Sequence, residues 1–271
     1  MELIIKPQRA LRIDWRELWA YRELFYFFVW RDIKVRYKQT IIGAAWAIFQ
    51  PFLTMVVFTI LFSRVGGLKS HAVPYAIFLY SGLLFWNFFS TALNSASNSM
   101  LANQAIVSKI YFPRLIAPFS ATIVAAVDFF FALLVFIGLM IYYRILPGFE
   151  GVLLFLPMLL LAFLSATGLG MFLAAINVKY RDVRIALPFF VQILFFVTPI
   201  LWSISIVPDR WRWALYLNPM AGVVEVIHDS VLHAGTIDWG LVGLSILATV
   251  FLLGFGLFYF RSREGAFADI I

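Results

Sequence analysis

The sequence predicts an all-α membrane protein with six transmembrane helices, and three observations predict it. Hydrophobic residues make up 63% of the 271 and charged residues 13%, a balance far from that of soluble domains. Six charge-poor stretches, 41–63, 75–100, 115–143, 151–177, 185–207 and 239–260, each hold the roughly 20 apolar residues that a helix needs to cross about 30 Å of hydrocarbon. The cations are unevenly placed as well. With the N-terminus inside, only Arg64, Lys69, Arg144, Arg210 and Arg212 fall outside, and the other sixteen of the 21 Lys and Arg fall inside. The positive-inside rule then places both termini in the cytoplasm. The net charge of +7 therefore reports topology and anionic headgroups, and nucleic acid is not an expected partner.

Residues 1–271 read as a single transmembrane domain, with 1–40 an interface-helix region and 41–263 the six-span bundle. Asp14 followed by Glu17 is a capping box for a helix start. Leu18, Tyr21, Phe25 and Phe28 then recur at helical spacing, with Arg16, Glu17, Glu23, Arg31 and Lys34 off that line. Such a helix suits the membrane interface, and Trp15, Trp19, Tyr21 and Trp30 are residue types that settle at headgroup depth. Packing on its own bundle would leave much of the same pattern. A removable signal peptide is not expected, because residues 1–40 carry both signs of charge and lack a short apolar core.

Span two changes character halfway. Asn87, Thr91, Asn94 and Asn98 fall three or four apart, so one side of the helix carries a polar stripe that should face helices or water rather than lipid. In span three, Asp128 is the one ionisable residue well inside a stretch. A mid-bilayer carboxylate calls for a partner, a cavity or protonation; a proton relay normally wants a second such group, so a hydrogen-bonded structural role is favoured. Span four carries Ala162, Ala166, Gly170 and Ala174, a small-residue face that fits close packing within the chain or between copies. Between spans five and six, 203–238 includes an uncharged run, 213–224, too short to cross and interrupted by Asn218-Pro219. A re-entrant or interfacial helix pair fits it.

Chemistry is expected to be absent. There is no cysteine, hence no disulfide or thiolate site. No Gly-x-x-x-x-Gly-Lys-Ser/Thr run is present, so ATP is not expected to bind this chain. No serine, paired-aspartate or His-Glu-x-x-His protease pattern appears. Glu225 and His228, three apart, read as a surface pair rather than a metal site. Catalytic, cofactor and metal residues are therefore none. Aromatics reach 18%, and their faces suit sugar C–H groups. Trp46, Phe49, Phe52, Trp86, Phe88, Phe89, Phe195 and Phe196 are candidates to line a path, with lipid contact and core packing as alternatives for each.

Together these motifs resemble a family. Trp30-Arg31-Asp32-Ile33-Lys34-Val35-Arg36-Tyr37-Lys38-Gln39-Thr40, running into Gly43, Trp46 and Pro51, is similar to the lead-in to span one of ABC-2 type polysaccharide-export permeases. Ser81-Gly82-Leu83 with Trp86, Asn103-Gln104 with Lys109-Ile110-Tyr111-Phe112-Pro113-Arg114, Lys179-Tyr180-Arg181-Asp182-Val183, Thr198-Pro199 and Asn218-Pro219-Met220 continue the likeness in order. It covers roughly residues 25–235 and is nearest to O-antigen (Wzm-type) permeases, with capsule and teichoic-acid exporters as relatives.

The resemblance implies a homodimer in a bacterial inner membrane, joined to two separate ATPase subunits that hold ATP and Mg, exporting a lipid-linked glycan. It implies a coupling turn at Asn103, Gln104, Ile106, Val107, Lys109, Ile110, Tyr111, Phe112, Pro113 and Arg114. It implies an interface helix carrying Trp30, Arg31, Asp32, Lys34, Arg36 and Tyr37 and ending near Lys38. An outer gate at 203–238, with Pro208, Trp211, Asn218 and Pro219, is implied too. The alternatives are a proton-coupled secondary transporter using Asp128, an enzyme acting on lipid-linked sugars, or an ABC-2 exporter of a drug, teichoic acid or other lipid.

Overall fold

The computed structural model describes residues 15–38, 45–65 and 73–267, and among them the chain is helices joined by turns and short loops, without strands. The expected cap at Asp14, the Thr40 and Gly43 lead-in and the Lys69 cation lie outside the described residues. The helices run α1 Trp15–Ala20, α2 Arg22–Lys38, α3 Ala45–Phe58, α4 Tyr75–Ala102, α5 Gln104–Val107, α6 Ile116–Tyr143, α7 Phe149–Lys179, α8 Val183–Val197, α9 Asp209–Leu215, α10 Pro219–Val231 and α11 Trp239–Arg263. Wider π-type turns carry α3 on over Thr59–Val65.

Five of these, α3 with its extension, α4, α6, α7 and α11, are long and apolar enough to cross a membrane. The expected fifth span, 185–207, is a shorter helix. α8 has 15 residues and stops at Val197 because Thr198 precedes Pro199, and a residue before proline is pushed out of the α region; Thr198 sits at ψ 137°.

α4 is the central column. It packs against α6, α7, α10 and α3, and 83% of its apolar window is buried, against 11% for α3. Tyr80, buried on α4, donates its hydroxyl to the Ala132 carbonyl at 3.0 Å. The small face of α7 does its work inside the chain: Ala162, Ala166, Gly170 and Ala174 are all buried, and a Cβ added at Gly170 would lie 2.6 Å from the Ala96 Cβ of α4. α7 meets α11 through glycines on both sides. A Cβ on Gly168 would fall 2.6 Å from the Leu253 Cα, and one on Gly256 would overlap the Gly168 carbonyl.

At one end of the bundle a second apolar cluster joins both ends of the described chain. Phe28, Met100, Val107, Phe112, Leu115, Met171, Phe260 and Phe267 are buried there, with Leu18, Tyr21 and Phe25 packed against them. At the opposite end, Ser203 to Asp238 forms α9 and α10. These helices have 7 and 13 residues and reach only about 10 and 20 Å. α10 is nonetheless largely buried among α7, α11 and α4.

Candidate functional site: the turn at 103–114, the N-terminal helices and the Asp128 ion pair

The turn 103–114 is built by burying alternate parts of itself. Asn103 ends α4; its side chain is buried and its amide nitrogen donates to the Ser99 carbonyl at 2.8 Å. Val107 and Phe112 enter the end cluster, which pins the short α5 and the following bend. Ile106 packs partly against it, and Pro113 and Arg114 are half-buried. Gln104 and Lys109 remain exposed, and so do Ile110 and Tyr111, each 59% exposed. The turn thus presents a small mixed apolar and basic edge while its root is fixed.

The N-terminal helices hold that root. Tyr111 donates its hydroxyl to Glu17 at 3.1 Å, Arg31 donates to the Asn103 carboxamide oxygen at 2.6 Å, and Phe28 meets Phe112 edge-on at 5.6 Å. Arg31 also pairs with Asp32 at 2.7 Å and lies over the Phe28 ring. The line Leu18, Tyr21, Phe25 and Phe28 therefore faces the chain's own bundle. A second aromatic set, Trp19, Tyr26, Phe27 and Trp30, is left exposed, with Lys34 over the Trp30 ring at 5.0 Å. Lys38 is exposed at the helix end.

α2 leans along α6 instead of lying only across its end. Its last turn delivers Arg36 to Asp128 at 2.8 Å, and Tyr37 donates a short hydrogen bond to the same carboxylate while its ring meets Phe131 edge-on. Asp128 lies 12 residues into α6, about 18 Å from its start. The Asp128 carboxylate is thus both ion-paired and hydrogen-bonded. Its partners come from 91 and 92 residues away in the chain.

The aromatic candidates separate into two groups. Trp86, Phe88 and Phe89 are buried in the core, and Phe195 is half-buried between Phe58 and Trp86. Trp46, Phe49, Phe52 and Phe196 are exposed on α3 and α8. At the opposite end, Pro208 precedes α9 and Trp211 is exposed upon it. Asn218 caps α10 by accepting from Met220 N–H at 3.1 Å and donates to the Thr198 hydroxyl at 2.8 Å, and Pro219 occupies the first helical position.

One expectation is corrected. Glu225 and His228 are not a surface pair. His228 is buried, stacked on Phe78 with its Nε2 3.0 Å from the Phe78 carbonyl, and burial pushes its pKa down to about 3. Burial, helped by the Asp229 carboxylate and opposed by Arg212, pushes Glu225 up to about 8. The reason is tertiary: α10 is packed on three sides, which a hydrophilic residue type in a short segment does not reveal. Among the described residues no group of three metal-ligating side chains forms.

The fold defines a helical membrane protein, with five helices long and apolar enough to cross a bilayer. The chain belongs to the ABC-2 type transporter family, whose pattern matches residues 23–232. It is similar to the O-antigen export system permease protein RfbA of Klebsiella pneumoniae, with 25% identity over 242 residues, 89% of this chain and 92% of that one. The RfbA permease of Myxococcus xanthus is 29% identical over 261 residues, covering 94% and 98%. The polysialic acid transport protein KpsM of Escherichia coli is 26% identical over 242 residues, covering 87% and 92%.

Proposed function

We propose that this chain is the permease subunit of an ATP-driven exporter that carries a lipid-linked polysaccharide of O-antigen type out of the cytoplasm. Two copies would form the conduit in a bacterial inner membrane, with both termini cytoplasmic and a separate ATPase subunit on each. The family and its polysaccharide-exporting relatives support the cargo. The observation that carries the mechanism is the unbroken chain of contacts from the exposed turn to the membrane interior: Tyr111 to Glu17, Asn103 to Arg31, then along α2 to Arg36 and Asp128.

An ATPase pressing on Lys109, Ile110 and Tyr111 would move α2 and the turn together, because their root is shared. α2 would transmit that displacement to α6 at Asp128 and, through the following lead-in, to α3. Helices α9 and α10 would act as the outer re-entrant gate. The pairing of Asp128 with Arg36 and Tyr37 weighs against proton coupling, since a relay carboxylate must release its partner in every cycle.

The test is reconstitution with the ATPase. Scrambling residues 106–112 should leave ATP hydrolysis running while polysaccharide export falls to background. Export at the parent rate from the scrambled chain would refute the assignment.

A further inference from the structure

Among the five helices long enough to cross a membrane, α4 is the most enclosed by its own chain, yet its exposure follows a rule. Between Tyr75 and Met100, every residue is buried except six: Asn87, Ser90, Thr91, Asn94, Ser95 and Asn98. All six are uncharged and polar, and their 3-1-3-1-3 spacing puts them on one line about 17 Å long. The sequence pattern marks the stripe as polar; the fold adds that this is the one line along which α4 is left uncovered.

The line cannot face lipid. Ser90, Asn94 and Asn98 each donate to a carbonyl of α4 itself, and Asn177 of α7 donates to the Asn98 oxygen at 3.2 Å. Asn87, Thr91 and Ser95 make no side-chain hydrogen bond with any described residue. Asn87 and Thr91 lie about 18 and 24 Å from the start of a 28-residue helix, so these two free groups fall within hydrocarbon depth, where each would cost several kcal/mol without a partner. Position points the same way. Trp86, the neighbour of Asn87, packs on Phe195 of α8, and Phe58 of α3 stacks on that same ring. The Asn87 end of the line therefore lies near the two helices that carry the exposed Phe49, Phe52 and Phe196, while its Asn98 end meets α7.

We propose that the line from Asn87 to Asn98 is a wet, uncharged track for a neutral polyhydroxylated chain; this deepens the export reading and rests on it. Amides and hydroxyls each both donate and accept, as sugar hydroxyls do, so water and sugar exchange on them at little cost. No ionisable group stands on the line to hold a charged polymer. Weak contacts repeated along a path let a chain slide instead of lodging.

The chain contains no cysteine, so single cysteines report each position without background. Asn87→Cys, Thr91→Cys and Asn94→Cys are compared with Phe130→Cys and Leu134→Cys on the exposed face of α6, each reconstituted with the ATPase and treated with a membrane-impermeant thiosulfonate. Ser95→Cys, a near-isosteric change, keeps the test standing should an asparagine variant misfold. The cysteine thiolate, which forms in water, attacks the reagent's sulfenyl sulfur, forming a mixed disulfide and expelling sulfinate, so the track positions should react about tenfold faster or more than the α6 controls. A neutral dextran oligomer should slow them, and a sulfated one of equal length should not. Reaction no faster than the controls would overturn the proposal. So would disulfide cross-linking between copies in place of labelling, or protection by the sulfated oligomer alone. Export by the cysteine-free parent is measured in the same vesicles: its failure sinks the export reading, whereas export without labelling sinks only the track.

Discussion

Neutralising Asp128 perturbs one of the contacts that hold α2 along α6. Arg36 and Asp128 are 2.8 Å apart, with side-chain exposures of 37% and 20%. At an effective dielectric near 20, the bare attraction at that distance is about 6 kcal/mol, most of it offset by desolvation. Asp128→Asn keeps the shape and an acceptor for Tyr37 but strands Arg36. Because Arg36 is more than a third exposed, its long stem can carry the charge toward headgroups, and the cost should be only about 1–2 kcal/mol. Arg36→Met strands the better-covered carboxylate, and an unpaired carboxylate at depth costs nearer 2–3 kcal/mol. The double variant removes both charges and should recover about 1–2 kcal/mol of the summed loss. Reversible unfolding in mixed micelles measures all three. Additive single losses, or a larger loss for Asp128→Asn than for Arg36→Met, would refute the reasoning. The same Asp128→Asn chain, assembled with its ATPase, should retain most of its export, because Tyr37 still bonds the amide oxygen and packs on Phe131, keeping α2 against α6; abolished transport in an intact assembly would favour proton coupling instead.

Gly256→Ala should destabilise by about 1–3 kcal/mol, since its methyl overlaps the Gly168 carbonyl and α7 and α11 must part. Gly254→Ala, which meets open space, should be neutral or slightly stabilising; equal melting shifts for the two would contradict the close crossing. Glu225→Gln tests the half-buried acid on α10. Its carboxyl holds a proton more tightly when folded, so ionisation destabilises the fold progressively as pH rises from about 4.5 to about 8. The variant should melt with the parent at pH 4 and above it at pH 9. An unchanged difference across that range would show that Glu225 is hydrated.

Composition and charge placement made the helical membrane class legible, because lipid tolerates so few backbone solutions. The polar stripe of α4 and the small face of α7 were legible too, since each is a periodic signal within one helix. Three features were not. The Arg36–Tyr37–Asp128 contact joins helices far apart in the chain, and nothing local marks either side as the other's partner. The Gly168–Gly256 crossing needs one glycine from each of two helices, so neither shows a repeat. The stop at Val197 was signalled by Thr198-Pro199, but apolar residues continue to Leu201, and a hydrophobic run reads past a break in backbone geometry. The aromatic candidates failed to sort for a related reason: Phe88 and Phe196 look alike in sequence, and only the fold separates core from exposed face.

The brevity of α8 carries a mechanical consequence. Its 15 residues measure about 22 Å, some 8 Å less than the oily slab of an ordinary bilayer. Lipid beside it must dimple, or the neighbouring chain must fill the deficit. Either way, under the proposed export function the barrier to a polar cargo is thinnest along this flank, where fewer ångströms have to be opened.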